Sequence, residues 1–108
     1  KVILETHYLN EEQICRVCDI AVEVGMKWVK TSTGWAPTGA TPEKVSIIAG
    51  QLKGCIDIKG AGGIRDLDTV RELYRLGVRR FGMSLGAVTT VLAQLEQNPD
   101  LFPELNAC

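Results

Sequence analysis

Short apolar runs of strand length alternate along this chain with stretches whose apolar residues recur every three or four positions, and the alternation occurs four times. The first run, Val2 to Thr6, precedes a helical stretch from about Glu11 to Val24. Asn10 is its N-cap, Gln13 completes a capping box and Gly25 is the stop. The second run, Trp28 to Ser32, leads to a helix that opens at Thr41-Pro42-Glu43 and ends near Leu52, before Gly54. A hydroxyl cap, a proline at the first helical position and an acid in the first turn favour that start. The third run, Ile56 to Lys59, leads to a helix capped by Asp66, with Leu67, Val70, Leu73, Tyr74 and Leu76 turned inward and Gly77 as the stop. The fourth, Arg80 to Met83, leads to a helix over about Ala87 to Glu96, with Val88, Val91, Leu92 and Leu95 on one face. Residues 1–97 thus hold four strand–helix units. The tail from Asn98-Pro99-Asp100 to residue 108 is polar and proline-broken, and predicted irregular.

The runs begin roughly 25 to 28 residues apart, which is the length of one strand, one helix and two short loops. Consecutive βα units give parallel strands joined by right-handed crossovers. The pattern therefore predicts an α/β fold of four consecutive βα units, as an open sheet or as half of an eightfold barrel. Charges on the strands favour the barrel. Glu5, Lys30, Asp57 and Lys59 would be buried in a sheet covered on both faces, whereas a barrel mouth hydrates them. A half-barrel by itself leaves two open strand edges and an uncovered apolar face. It must pair, with a missing half or with a copy of itself. The chain opens without methionine, at the edge of a strand pattern, as expected for a fragment or a processed half of a longer protein.

At 108 residues the chain is one domain by size and long enough to bury a core. Its 12 basic and 13 acidic side chains leave a net charge of −1, so no general field attracts nucleic acid or acidic lipid. No apolar stretch approaches the roughly 20 residues that span a bilayer, and no signal-peptide pattern follows Lys1. A cytosolic protein is the expectation. Cys15 and Cys18 form a CxxC, but within a helical periodicity, where two small apolar side chains three apart make a core stripe. His7 is the single histidine and no second CxxC exists, so no metal set is expected.

Candidate chemistry begins with two lysines. Lys30 closes Lys27-Trp28-Val29-Lys30 before Thr31-Ser32-Thr33-Gly34, and Lys59 closes Cys55-Ile56-Asp57-Ile58-Lys59 before Gly60-Ala61-Gly62-Gly63-Ile64-Arg65. On neighbouring parallel strands the two ammonium groups emerge side by side. Close cations disfavour each other's charged form, and partial burial acts the same way, so one amine can be freed near neutral pH. A free amine on a rigid strand is a nucleophile for carbonyl carbon. Asp57, two residues before Lys59 on the same strand face, is placed to pair with it. The loops after the strands are ionisable at Glu5-Thr6-His7-Tyr8 and small and hydroxylated from Thr31 to Ala40. They are glycine-rich at Gly62-Gly63 and at Gly82-Met83-Ser84-Leu85-Gly86. Glycine backbone beside a helix N-terminus suits a phosphate, and Ser84 adds a hydroxyl donor.

The runs Val2-Ile3-Leu4-Glu5-Thr6, Trp28-Val29-Lys30-Thr31-Ser32-Thr33-Gly34 and Gly39-Ala40-Thr41-Pro42-Glu43 resemble deoxyribose-phosphate aldolase. So do Lys59-Gly60-Ala61-Gly62-Gly63-Ile64-Arg65 and Arg80-Phe81-Gly82-Met83-Ser84, in the same order over nearly the whole chain. The resemblance implies the C-terminal half, strands five to eight, of a TIM (β/α)8 barrel. It implies a class I aldolase, without cofactor, that reversibly cleaves 2-deoxyribose 5-phosphate to acetaldehyde and glyceraldehyde 3-phosphate. On that template Lys30 is the Schiff-base lysine and Lys59 the neighbour that lowers its pKa and joins the proton relay. Gly34, Gly62, Gly63 and Ser84 contact the phosphate, and Thr33 lines the substrate. The family's proton-shuttling aspartate lies in the first half of its barrel, and no segment of residues 1–108 matches it. Leu85 stands where many members carry a second phosphate-binding serine, and Trp35 where some carry a basic or smaller residue. Two further readings stay open: a non-catalytic half-barrel that assembles by self-pairing, and a lysine-dependent aldolase for a different aldehyde.

Overall fold

A computed structural model describes residues 1–103. Four parallel strands form one sheet in chain order: β1 (Val2–Ile3), β2 (Trp28–Lys30), β3 (Asp57–Ala61) and β4 (Val78–Gly82). The helices α1 (Glu11–Glu23), α2 (Pro42–Leu52), α3 (Leu67–Arg75) and α4 (Leu85–Gln97) follow them in turn. With strand order equal to chain order and every crossover of one hand, the helices fall on one face of the sheet. That face holds the core. Leu4, Val29, Ile58 and Val78 meet Ile14 and Cys18 of α1, Val45, Ile48 and Leu52 of α2, Leu67, Val70 and Leu73 of α3, and Val91 of α4.

The caps stand where the sequence puts them. Asn10 and Gln13 exchange both bonds of a capping box, and Thr41 and Asp66 accept the backbone N–H of Lys44 and Thr69. These caps satisfy N–H groups that a helix start leaves without partners. The strand ends lie elsewhere. The strand expected through Thr6 ends at Ile3, because Glu5 adopts a left-handed conformation (φ 55°, ψ 63°) and Thr6–Tyr8 form a 3-10 turn. Pairing nevertheless continues beyond it, since the amides of Leu4 and Thr6 donate to the carbonyls of Lys30 and Thr31. β3 and β4 are displaced by one or two residues from the expected runs, to Asp57–Ala61 and Val78–Gly82.

Helix α4 begins two residues earlier than expected because Ser84 caps it, its side chain accepting from the amide of Ala87. Ala87 and Val91 are its buried residues. Leu92, expected inward, is 54% exposed. The expected irregular tail contains a 3-10 turn at Pro99–Leu101 and buries Phe102 edge-on against the Tyr74 ring, 5.2 Å between centroids. Its last five positions, 104–108, lie outside the described residues.

Among the described residues the second face of the sheet carries no helix, and it is not the apolar surface expected. Strand register aligns Ile3, Lys30, Lys59 and Arg80 in one row, with Trp28 and Asp57 paired in the row below. The Arg80 guanidinium lies over the Trp28 ring, 4.2 Å from its centroid. A stacked cation–aromatic pair and two lysines thus occupy a face that in a doubly covered sheet would be hydrocarbon.

Candidate active site at the strand ends

Hydroxyls fasten the C-terminal ends of β2 and β3. Thr31 and Ser32 are fully buried, and both donate to the carbonyl of Ala61, while the Ala61 amide donates back to Thr31 Oγ1 at 3.0 Å. These two hydroxyls are structural. The next residues, Thr33 and Gly34, turn outward into a cavity of about 430 Å³ that Lys30, Ala61, Gly62, Gly63, Ile64, Arg65, Gly82, Met83 and Ser84 complete. The β2–α2 and β3–α3 loops touch at Gly39, where a Cβ would stand 2.6 Å from the carbonyl oxygens of Ala61 and Gly62. Gly62 and Gly63 both take positive φ, 87° and 78°, which glycine adopts without steric cost.

Of the seven residues singled out from the sequence, six line this one cavity: Lys30, Thr33, Gly34, Gly62, Gly63 and Ser84. The seventh, Lys59, is the register partner of Lys30 on the adjoining strand and so projects from the same sheet face. Its side chain passes Gly82, where a Cβ would lie in ordinary contact with Lys59 Cε, at 3.5 Å. Ser84 has a double capacity. Its Oγ accepts the Ala87 amide at 3.2 Å, which leaves the hydroxyl hydrogen free to donate into the cavity.

The lysine whose pKa is shifted is Lys59. It falls below the ordinary 10.5, chiefly through the charge of Lys1, then partial burial, then Lys30 and Arg80. Asp57 is not among its causes, so the sequence-based pairing of Asp57 with Lys59 has no electrostatic trace. The side-by-side placement expected from the sequence is present.

Two residues were missed. Arg65 lines the cavity and supplies a cation beside the double glycine; its position two after Gly63 was the available signal. Glu5, noted only as ionisable, reaches from the end of β1 to accept the amide (3.2 Å) and hydroxyl (2.5 Å) of Thr33. No periodicity announces that contact. Cys18 is fully buried in the core, as the helical stripe implied, and burial pushes its thiol up to about 11. Among the described residues no group of three His, Cys, Asp or Glu side chains is placed to hold a metal ion, and no helix is long and apolar enough to cross a membrane.

No protein-family model matches the chain. It is 86% identical over 107 residues to the deoxyribose-phosphate aldolase of Klebsiella pneumoniae, a match covering 99% of this chain and 43% of that protein. The solved structure of QR15, an aldolase, superposes with a TM-score of 0.82 at 42% identity, over 91% of this chain and 43% of QR15. The tetrameric deoxyribose phosphate aldolase of Aeropyrum pernix superposes with a TM-score of 0.78 at 27% identity, over 88% of this chain and 40% of its own. The chain therefore spans less than half the length of the relatives it matches, the share expected of a partial barrel. Over that stretch, it is a homologue of the deoxyribose-phosphate aldolases.

Proposed function

We propose that this chain carries the imine-forming part of a class I aldolase acting on 2-deoxyribose 5-phosphate. One observation carries the reading: Lys30 opens into the same cavity as Gly62, Gly63, Arg65 and Ser84, with a second amine beside it. The free amine of Lys30 adds to the C1 aldehyde of the open-chain sugar, and loss of water gives an iminium ion. Electrons of the C2–C3 bond flow into that iminium as the C3 hydroxyl loses its proton. Glyceraldehyde 3-phosphate departs, and the enamine left on Lys30 is protonated and hydrolysed to acetaldehyde.

Lys59, a second cation on the adjoining strand, disfavours the charged form of Lys30 and so helps to free its amine. The phosphate sits against Gly34, Gly62 and Gly63, with Arg65 as counter-charge and the Ser84 hydroxyl as donor. Phosphate binding at that distance from the reacting carbon contributes orientation. The same reading has the protein act in the cytoplasm, with the open edges of β1 and β4 paired to a copy of the chain or to further barrel strands. Names of the relatives support the reaction class, and the cavity's composition supports the phosphorylated substrate.

The test is reductive trapping. Acetaldehyde with borohydride is expected to add one ethyl group to the protein, mapped by peptide mass to Lys30. Lys30→Arg is expected to take no label. Labelling of Lys59, or of no lysine, contradicts the assignment. Turnover of 2-deoxyribose 5-phosphate, followed by release of acetaldehyde, then tests the substrate.

A further inference from the structure

Glu5 is fixed more firmly than a loop carboxylate needs to be. The amides on either side of it, Leu4 and Thr6, donate to Lys30 and Thr31 of β2 at 2.9 and 3.0 Å. Between them Glu5 holds φ 55°, a left-handed conformation uncommon for a residue with a side chain, and its own carbonyl accepts from Tyr8. The result is a half-buried carboxylate aimed at a single residue. One oxygen accepts the Thr33 amide at 3.2 Å, and the other the Thr33 hydroxyl at 2.5 Å. The Thr33 oxygen in turn accepts the Trp35 amide at 3.1 Å.

Counting the hydroxyl's capacity gives a definite polarity. A threonine hydroxyl has one hydrogen to donate and two acceptor sites. A carboxylate can only accept, so the Thr33 hydrogen is committed to Glu5. The Trp35 amide takes one acceptor site, and a single acceptor site remains. Thr33 lines the cavity beside Lys30. It therefore offers a bound molecule an acceptor and never a donor.

We infer that Glu5 is a positioning residue that sets the hydrogen-bond polarity of Thr33, so that the site selects aldehydes carrying a hydroxyl that donates at this point. The ligand class is a hydroxyaldehyde, and an ether or ketone at the same position meets two facing acceptors. This inference rests on the imine-forming role of Lys30 proposed above. In Glu5→Gln one side-chain oxygen becomes an NH2 group, and since the Thr33 amide must keep its acceptor, the NH2 faces the Thr33 hydroxyl. That hydroxyl then accepts from glutamine and from Trp35, and turns its hydrogen toward the ligand. The site's preference is inverted without loss of side-chain volume.

The experiment offers the 108-residue chain equal amounts of 3-hydroxybutanal and 3-methoxybutanal with borohydride, and reads by mass the Lys30 adducts of the first (3-hydroxybutyl together with the ethyl left by C2–C3 cleavage) against the 3-methoxybutyl adduct. A ratio within one sample does not depend on how much protein is folded. The unmodified chain is expected to favour the hydroxyl compound. Glu5→Gln is expected to shift the ratio toward the methoxy compound by about tenfold, the worth of one hydrogen bond. Thr33→Val removes the acceptor altogether and is expected to reduce the hydroxyl preference as well. A ratio unmoved in Glu5→Gln, or in Thr33→Val should the first variant fail to fold, overturns the inference while leaving the imine assignment intact. Absence of any adduct in the unmodified chain sinks the imine assignment and this inference together.

Discussion

Lys59 is surrounded by positive charge from three directions: Lys1, Lys30 on the strand beside it, and Arg80 on the strand beyond. A lysine whose folded pKa lies below its unfolded value of 10.5 destabilises the fold wherever it is protonated. The penalty is complete below the folded pKa and fades as pH rises toward 10.5. Replacing Lys59 with methionine is therefore expected to raise the urea midpoint at pH 7, with a gain that vanishes near pH 10.5. A lowered midpoint at pH 7 would show that its contacts outweigh the repulsion. The cysteines give a second residue-scale prediction. Cys18, buried and pushed up to about 11, is expected to resist iodoacetamide at pH 8, while the exposed Cys55 reacts within minutes. Peptide mapping of the alkylated protein checks this.

Elements were legible where a local rule writes them and illegible where a contact from another element overrules it. Helices α1, α2 and α3 start at their caps because Asn10, Thr41 and Asp66 satisfy orphan amides within their own turn. Asp66→Ala is expected to cost about 1 kcal/mol of folding stability by chemical denaturation. Bonds from Thr69 hold the Asp66 carboxyl below its ordinary 3.8, so its contribution is present above that value and is lost as pH falls through the lowered one. An alanine variant as stable as the parent at pH 7 would contradict the cap's role. Strand β1 ended early for a reason that no alternation of Val2, Ile3 and Leu4 contains: the turn at Glu5 is held by bonds to β2 and to Thr33. Leu92 fell outside the core because α4 buries only Ala87 and Val91 fully, and the apolar pattern of that helix is wider than its contact.

The loops show the same division. The Gly62-Gly63 and Gly82-Met83-Ser84 loops were read as a phosphate cradle from composition, whereas Thr33 and Gly34 came only with the family resemblance. The role of Gly39 required knowing that two loops press together there. Gly39→Ala drives a Cβ into backbone oxygens at 2.6 Å, which no rotamer change relieves. The expected loss is about 1–3 kcal/mol of stability, with a weaker affinity for inorganic phosphate, measured by calorimetry. Unchanged stability and phosphate binding would show that the loops separate freely.

At the scale of the molecule, chain order and crossover handedness put all four helices on one side of the sheet and the Lys30–Lys59 pair on the other. That arrangement was readable from four repeated units and from charges on strands. The character of the open face was not, because its composition depends on register: only the alignment of Ile3, Lys30, Lys59 and Arg80 shows a charged row rather than a greasy one. Among the described residues β1 and β4 each have one neighbouring strand, and Ile3 on the first is 46% exposed. Sedimentation at tens of micromolar is expected to show assemblies heavier than one chain. A purely monomeric boundary would count against pairing through those edges.

All of the proposed chemistry depends on coupling between two amines one strand apart. Heteronuclear NMR titration of the lysine side-chain nitrogens reads that coupling directly. The Lys59 nitrogen is expected to lose its proton below the ordinary 10.5, and to move back up when Lys30 is replaced by methionine. A Lys59 nitrogen that titrates at the ordinary value, or that ignores the Lys30 substitution, would contradict it.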